Sequence, residues 1–125
     1  MTRYFGRIRE TEGAAIMAQI VFRGLLIKQA QVEHIVVELH RVGRPRRQPD
    51  YVFTPDYQDV IFDVPQTSDD DPQWPRPDGG YNFRFDIPPD YLTRPETYRA
   101  EVFFDLTDGK VREAFFIEVQ GVYGA

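Results

Sequence analysis

The side chains with the widest chemical repertoire in this chain are few. His34 and His40 are the only histidines, and there is no cysteine. Six residues apart in "HIVVELH", the two imidazoles share one parity on an extended strand and lie far apart along it. Zinc requires three or four converging ligands, so the pair reads as surface or edge histidines, and no metal or other cofactor is expected. "SDDDP" (Ser68 to Pro72) clusters three carboxylates, oxygen donors that suit calcium. It lacks the spaced D-x-D-x-D-G and distal Glu of a helix–loop–helix calcium site, and reads as a solvated acidic loop. Asp59 and Asp63 are paired carboxylates of the kind that serve acid–base chemistry, but nothing in the pattern puts them in a pocket. No Ser-His-Asp grouping, G-x-S-x-G, P-loop or G-x-G-x-x-G occurs. The expectation is a protein that is not an enzyme.

Two further stretches are suited to binding. "RVGRPRR" gathers Arg41, Arg44, Arg46 and Arg47, whose guanidinium groups match phosphates or an acidic protein surface. Beside the acidic "DDD" loop, opposite charges on one protomer could also interlock between copies. "QWPRPDGGY" holds the only tryptophan, Trp74, which with Tyr81 offers rings for stacking on a ligand such as a sugar; the alternative is a ring that plugs one end of the fold. A net charge of −5, carried against 13 Arg and 2 Lys, disfavours nucleic acid as the partner. No run approaches the roughly 18 apolar residues of a membrane-spanning helix. "MTRYFGRIRETEGAAIMAQ" has neither the apolar core nor the cleavage site of a signal peptide, so a soluble chain not marked for export is expected.

The elements that must position these residues are extended. A 42% hydrophobic fraction over 125 residues suffices for one core. Residues 1–17 are polar and weakly alternating and read as an N-terminal arm, with Met17 as an alternative start. Residues 18–121 form the domain, and 122–125 a tail. "QIVFRGLLI" reads as an inner strand with a bulge or bend at Gly24. "VEHIVVELHRV" alternates, with Ile35, Val37 and Leu39 inward and Glu33, Glu38 and His40 outside or at edges. Short strands follow at Tyr51 to Phe53 and Tyr57 to Val64, the latter with Val60, Phe62 and Val64 inward. "YNFRFDIP" directs Tyr81, Phe83, Phe85 and Ile87 in and Asn82, Arg84 and Asp86 out. One short helical turn is expected at Pro89 to Leu92. About seven strands with turn signals between them favour an all-β sandwich or small barrel.

The last hairpin, "YRAEVFFDLTDGKVREAFFIEVQ", is the most regular stretch. Asp108-Gly109 is the signature of a type I′ turn. Centring the turn there sets Asp105 against Arg112 and Arg99 against Glu118, with Tyr98, Ala100, Val102, Val111, Phe115 and Ile117 on the opposite, apolar face. Phe103 and Phe116 then lie diagonally on the charged face, rimmed by Arg99, Glu101, Asp105, Arg112 and Glu118. Each ring gains roughly 1.5–3 kcal/mol on burial, so a cover is expected: the chain's own loop 65–80 or arm, or a partner subunit. An aromatic centre with a charged rim is the composition of an interface.

"YNFRFDIPPDYLTRPETYRAEVFFDLTDGKVREAFFIEV" resembles the closing strands of immunoglobulin-like β-sandwiches in bacterial and bacteriophage structural proteins. An aromatic strand, a Pro-rich connection, a "YRAEV" strand, a DG turn and a final apolar strand carry the resemblance, over about a third of the chain. It implies a single immunoglobulin-like antiparallel sandwich with Tyr98 in a corner role. By analogy it implies a virion component that decorates or cements a capsid, or a small tail or neck protein. Its partners would then be further copies of itself or a larger capsid or tail subunit. Phe103 and Phe116 would anchor the contact, with Arg99, Arg112 and the Arg41–Arg47 loop around them. A carbohydrate-binding module using Trp74 and Tyr81 is the alternative.

Overall fold

In a computed structural model the chain is described over residues 2–9, 12–43, 48–67 and 79–121. Ten strands occur among these residues: β1 (Thr2–Arg9), β2 (Ala14–Ala18), β3 (Val21–Phe22), β4 (Leu25–Leu26), β5 (Val32–Arg41), β6 (Tyr51–Phe53), β7 (Ile61–Gln66), β8 (Tyr81–Ile87), β9 (Thr97–Leu106) and β10 (Gly109–Gln120). They are joined by one short helix, α1 (Tyr57–Val60), and by 3₁₀ turns at Gln29–Gln31 and Pro89–Tyr91. A five-stranded sheet has the order β1-β10-β9-β5-β6, a three-stranded sheet β2-β8-β7, and β3-β4 is a separate hairpin. The all-β expectation therefore holds, with ten strands where about seven were expected.

The two larger sheets share one core. Phe83 of β8 meets Phe104 of β9 edge-on at 5.1 Å and Phe115 of β10 at 6.1 Å, and all three rings are fully buried. Alternation delivers the rest: Ile35, Val37 and Leu39 from β5, and Tyr98, Ala100, Val102 and Ile117 from β9 and β10, point into this layer. The turn expected after Ile87 is present as the 3₁₀ turn, and the Tyr98 hydroxyl accepts the backbone N–H of Arg94 four residues upstream at 3.3 Å.

Several local expectations are corrected. Residues 2–9 and 14–17, expected in an arm, are sheet strands: β1 pairs in parallel with β10 from Thr2↔Glu113 to Arg9↔Gln120, and β2 pairs with β8. The large sheet is thus mixed rather than purely antiparallel. Ile8, Ile16 and Met17 are core residues at 2%, 0% and 1% exposure, so a chain begun at Met17 would lose a whole edge strand and most of β2. The "QIVFRGLLI" stretch is not one strand. Arg23 and Gly24 take φ of 54° and 82°, and a two-residue turn folds Phe22 back onto Leu25. The paired positive φ angles of a type I′ turn fall here. Tyr57 to Val60 is helical because the Asp56 side chain accepts the Gln58 N–H at 3.0 Å and caps the turn, an N-cap role. Val64, expected inside, is exposed.

The last hairpin turns one residue earlier than the Asp-Gly signature implies, which moves every cross-strand partner by two. Leu106 faces Gly109 and Phe103 faces Arg112, leaving Thr107-Asp108 as the loop, with none of these residues at positive φ. The glycine serves a different need. A Cβ on Gly109 would lie 2.6 Å from Phe22 Cζ, so the β3-β4 hairpin packs onto a bare backbone. The Thr107 N–H also donates to the Gln31 carbonyl at 2.9 Å. A two-residue shift preserves side-chain parity, so the face assignments stand while the expected cross-strand ion pairs do not.

Asn82, expected outside, is 1% exposed. Its Oδ1 accepts the Ile20 N–H at 2.7 Å, and its Nδ2 donates to the carbonyls of Ile20 and Ile27 at 3.0 and 3.2 Å. One amide thereby ties the base of the β3-β4 hairpin to β8. Asn82→Leu would leave the Ile20 N–H and the Ile27 carbonyl buried without this partner. Chemical denaturation should show a loss of about 2–6 kcal/mol, from about 1–3 kcal/mol for each of the two orphaned groups.

Candidate functional site on the outer face of the large sheet

With one face of the large sheet committed to the core, the other carries the residues of interest. Its cross-strand rows follow from the registers. Val36, Phe103 and Arg112 form one row; Glu38, Glu101, Ala114 and Arg3 the next; His40, Arg99, Phe116 and Phe5 the third. Val52 of β6 joins the middle row beside Glu38.

The two phenylalanines singled out from the sequence are both half-buried, each under a different cover. Phe5 from β1 stacks on Phe116 with ring centroids 5.2 Å apart and planes 17° apart. The Arg112 guanidinium lies over the Phe103 ring at 5.0 Å, a cation–π contact. The cover for Phe116 is the chain's own N-terminal strand, and it passes the problem outward: Phe5 itself is 71% exposed.

The second feature is a carboxylate–imidazole–guanidinium cluster in the adjoining rows. Glu38 and Glu101 face each other directly across β5 and β9, an arrangement that is repulsive for two like charges. Cationic groups offset it. Arg112 Nη2 donates to Glu101 Oε1 at 2.6 Å, and Arg99 Nε lies 3.4 Å from the same oxygen. His40 Nε2 lies 3.4 Å from Glu38 Oε1 and 3.8 Å from Glu101 Oε2. Glu101 and His40 are buried, at 8% and 9% exposure. The network is nevertheless incomplete. Among the described residues, His40 Nε2 and Arg99 Nε are buried side-chain atoms with no hydrogen-bond partner, a condition that is uncommon in folded proteins.

This sequence matches no family model and no curated protein.

The structure brings together some expected site residues and separates others. Phe103, Phe116, Arg99 and Arg112 share the outer face. Arg112 pairs diagonally with Glu101 rather than with Asp105, and Glu118 meets Arg7 of β1 at 3.4 Å rather than Arg99. Arg41 is engaged within the chain: its Nε and Nη2 donate to the two Glu96 oxygens at 2.6 and 2.5 Å. That bond holds the guanidinium pKa above its ordinary value. Arg44, Arg46, Arg47, Trp74 and the Asp69–Asp71 run lie outside the described residues. Tyr81 cannot stack on a ligand, because it is 2% exposed and closes edge-on against Phe62 at 5.6 Å. Asp63 is occupied in accepting the Gln29 N–H at 2.7 Å. Sequence reasoning missed the convergence of Glu38, His40 and Glu101. The Glu-x-His spacing on β5 was visible as shared parity, but Glu101 enters only through the β5–β9 register.

Glu101 is the hub of this cluster. Glu101→Ala would leave Arg99 and Arg112 without their carboxylate in a partly buried setting. Urea unfolding should show a loss of about 1–3 kcal/mol, below the fully buried case because Arg112 is half exposed.

Proposed function

We propose that this chain is a non-enzymatic structural protein that works by docking the outer face of its large sheet against protein. The observation that carries the reading is Phe5, a phenylalanine 71% exposed although it is stacked on a second ring. Val52, 55% exposed, lies on the same face, and Arg3, Arg7, Arg112 and Glu118 surround the aromatic centre. An apolar centre inside a charged rim is the composition of a protein interface, and aromatic anchors dominate binding energy in such patches.

The finer version is an immunoglobulin-like sandwich that decorates or cements a virion, with a second copy or a larger capsid or tail subunit as partner. The face-to-face sheets and the Tyr98–Arg94 corner contact support the fold half of it, since a tyrosine hydroxyl returning to upstream backbone is a feature of such sandwiches. The virion role rests on the resemblance of the closing strands.

Light scattering across a concentration series tests the self-association form. Phe5→Ser should abolish association while leaving the melting temperature nearly unchanged, because the ring is mostly in water already. Wild-type protein that stays monomeric throughout would remove a second copy as the occupant of this face. Equal association of the wild type and Phe5→Ser would remove Phe5 as the anchor.

A further inference from the structure

We infer that Glu38, His40 and Glu101 form a binding site for a divalent first-row transition-metal cation, zinc by preference. The ligand atoms of the three residues all lie within 4.8 Å of one another. For bonds of about 2.0–2.1 Å, neighbouring ligands of a tetrahedral zinc stand roughly 3.3–3.4 Å apart. The imidazole Nε2 is 3.4 Å from Glu38 Oε1 and 3.8 Å from Glu101 Oε2, close to ligand spacing, and the two carboxylates draw together from within 4.8 Å to complete the set.

Three independent features point to a cation here. First, His40 is 9% exposed and its Nε2 is buried without a hydrogen-bond partner, facing both carboxylates. A metal ion supplies the missing partner. Second, Glu38 and Glu101 face each other across the ladder, and a cation between them relieves that repulsion. Third, the Arg112 bond and the Arg99 approach are both at Glu101 Oε1, while the oxygen turned to His40 is Oε2. Nitrogen plus carboxylate donors suit zinc and its first-row neighbours rather than calcium, which takes oxygen alone. Three protein ligands leave a fourth position for water or for a donor from outside the chain. The inference does not depend on the docking reading, because the cation is held by this chain alone.

The two arginines make the site distinctive. Arg112 neutralises Glu101 through Oε1, which makes the carboxylate a weaker ligand for a cation at Oε2. Loss of this arginine should therefore tighten metal binding, whereas a merely structural ion pair gives no reason for such a gain.

The experiment is calorimetric titration of the intact, metal-stripped chain with ZnCl₂, repeated with CoCl₂ while visible absorption is recorded. Wild type should bind a single equivalent, with a cobalt spectrum of nitrogen and oxygen ligation, since no cysteine is present. His40→Gln should weaken binding by at least about 10–100-fold, the range that loss of a supporting contact alone costs at such sites. His34→Gln should leave it unchanged, and Arg112→Ala should strengthen it. Circular dichroism checks that each variant is folded, and Arg112→Ala keeps the test decisive if His40→Gln is not. Absence of saturable zinc binding in the wild type overturns the inference. So does binding that survives in folded His40→Gln, or binding that weakens in folded Arg112→Ala.

Discussion

Everything in this fold hangs on the contact that Phe83 makes across the sandwich. Its ring sits edge-on to Phe104 and tilted against Phe115, bringing the middle strand of the small sheet onto β9, the central strand of the large one, and its neighbour β10. Edge-to-face geometry sets the positive rim of one ring against the negative face of another, which adds specificity to the area buried. With that seam in place, β9 and β10 have one side they can give to the core and one they cannot. The charged, aromatic outer face is a consequence of that commitment.

The two features of the outer face follow different physics. The aromatic one is additive: Phe5 stacks on Phe116, and Tyr4, its neighbour on the other side of β1, stacks on Phe115 in the core at 4.7 Å. One edge strand therefore extends both the core and the outer patch. The polar one is a balance. Two carboxylates forced together by the ladder are held by two guanidinium groups and an imidazole, and the imidazole nitrogen remains unsatisfied. Low-dielectric surroundings strengthen every contact in such a network and make each missing one more costly.

Legibility in the sequence tracked the range of the interaction. Period-two alternation placed Ile35, Val37, Leu39, Phe83, Val102 and Phe115 correctly, because it depends only on each strand's own geometry. Asp108-Gly109 marked the turn one residue late, and Gly109 is instead kept bare for Phe22, a residue 87 positions away. Residues 1–17 looked like an arm because the edge strand β1 is half polar, and its parallel pairing leaves no turn to announce it. Asn82 looked external because polarity alone argues for water, while its amide stitches backbone that no local pattern reveals. Glu38 and His40 could be placed on one face, but nothing in the string says that Glu101 stands opposite them.

By itself the sequence determined an all-β chain, the inward face of β5 and of the last hairpin, and the presence of two phenylalanines on the charged side of that hairpin. These are local properties of strand periodicity and turn chemistry. Only the tertiary structure decided what covers those rings, namely Phe5 and Arg112, and which charges meet, namely Glu38, His40, Arg99, Glu101 and Arg112. Register and strand order are set by packing between distant segments: Phe22 against Gly109, β1 against β10, Phe83 against Phe104. A two-residue shift leaves every face unchanged and exchanges every partner.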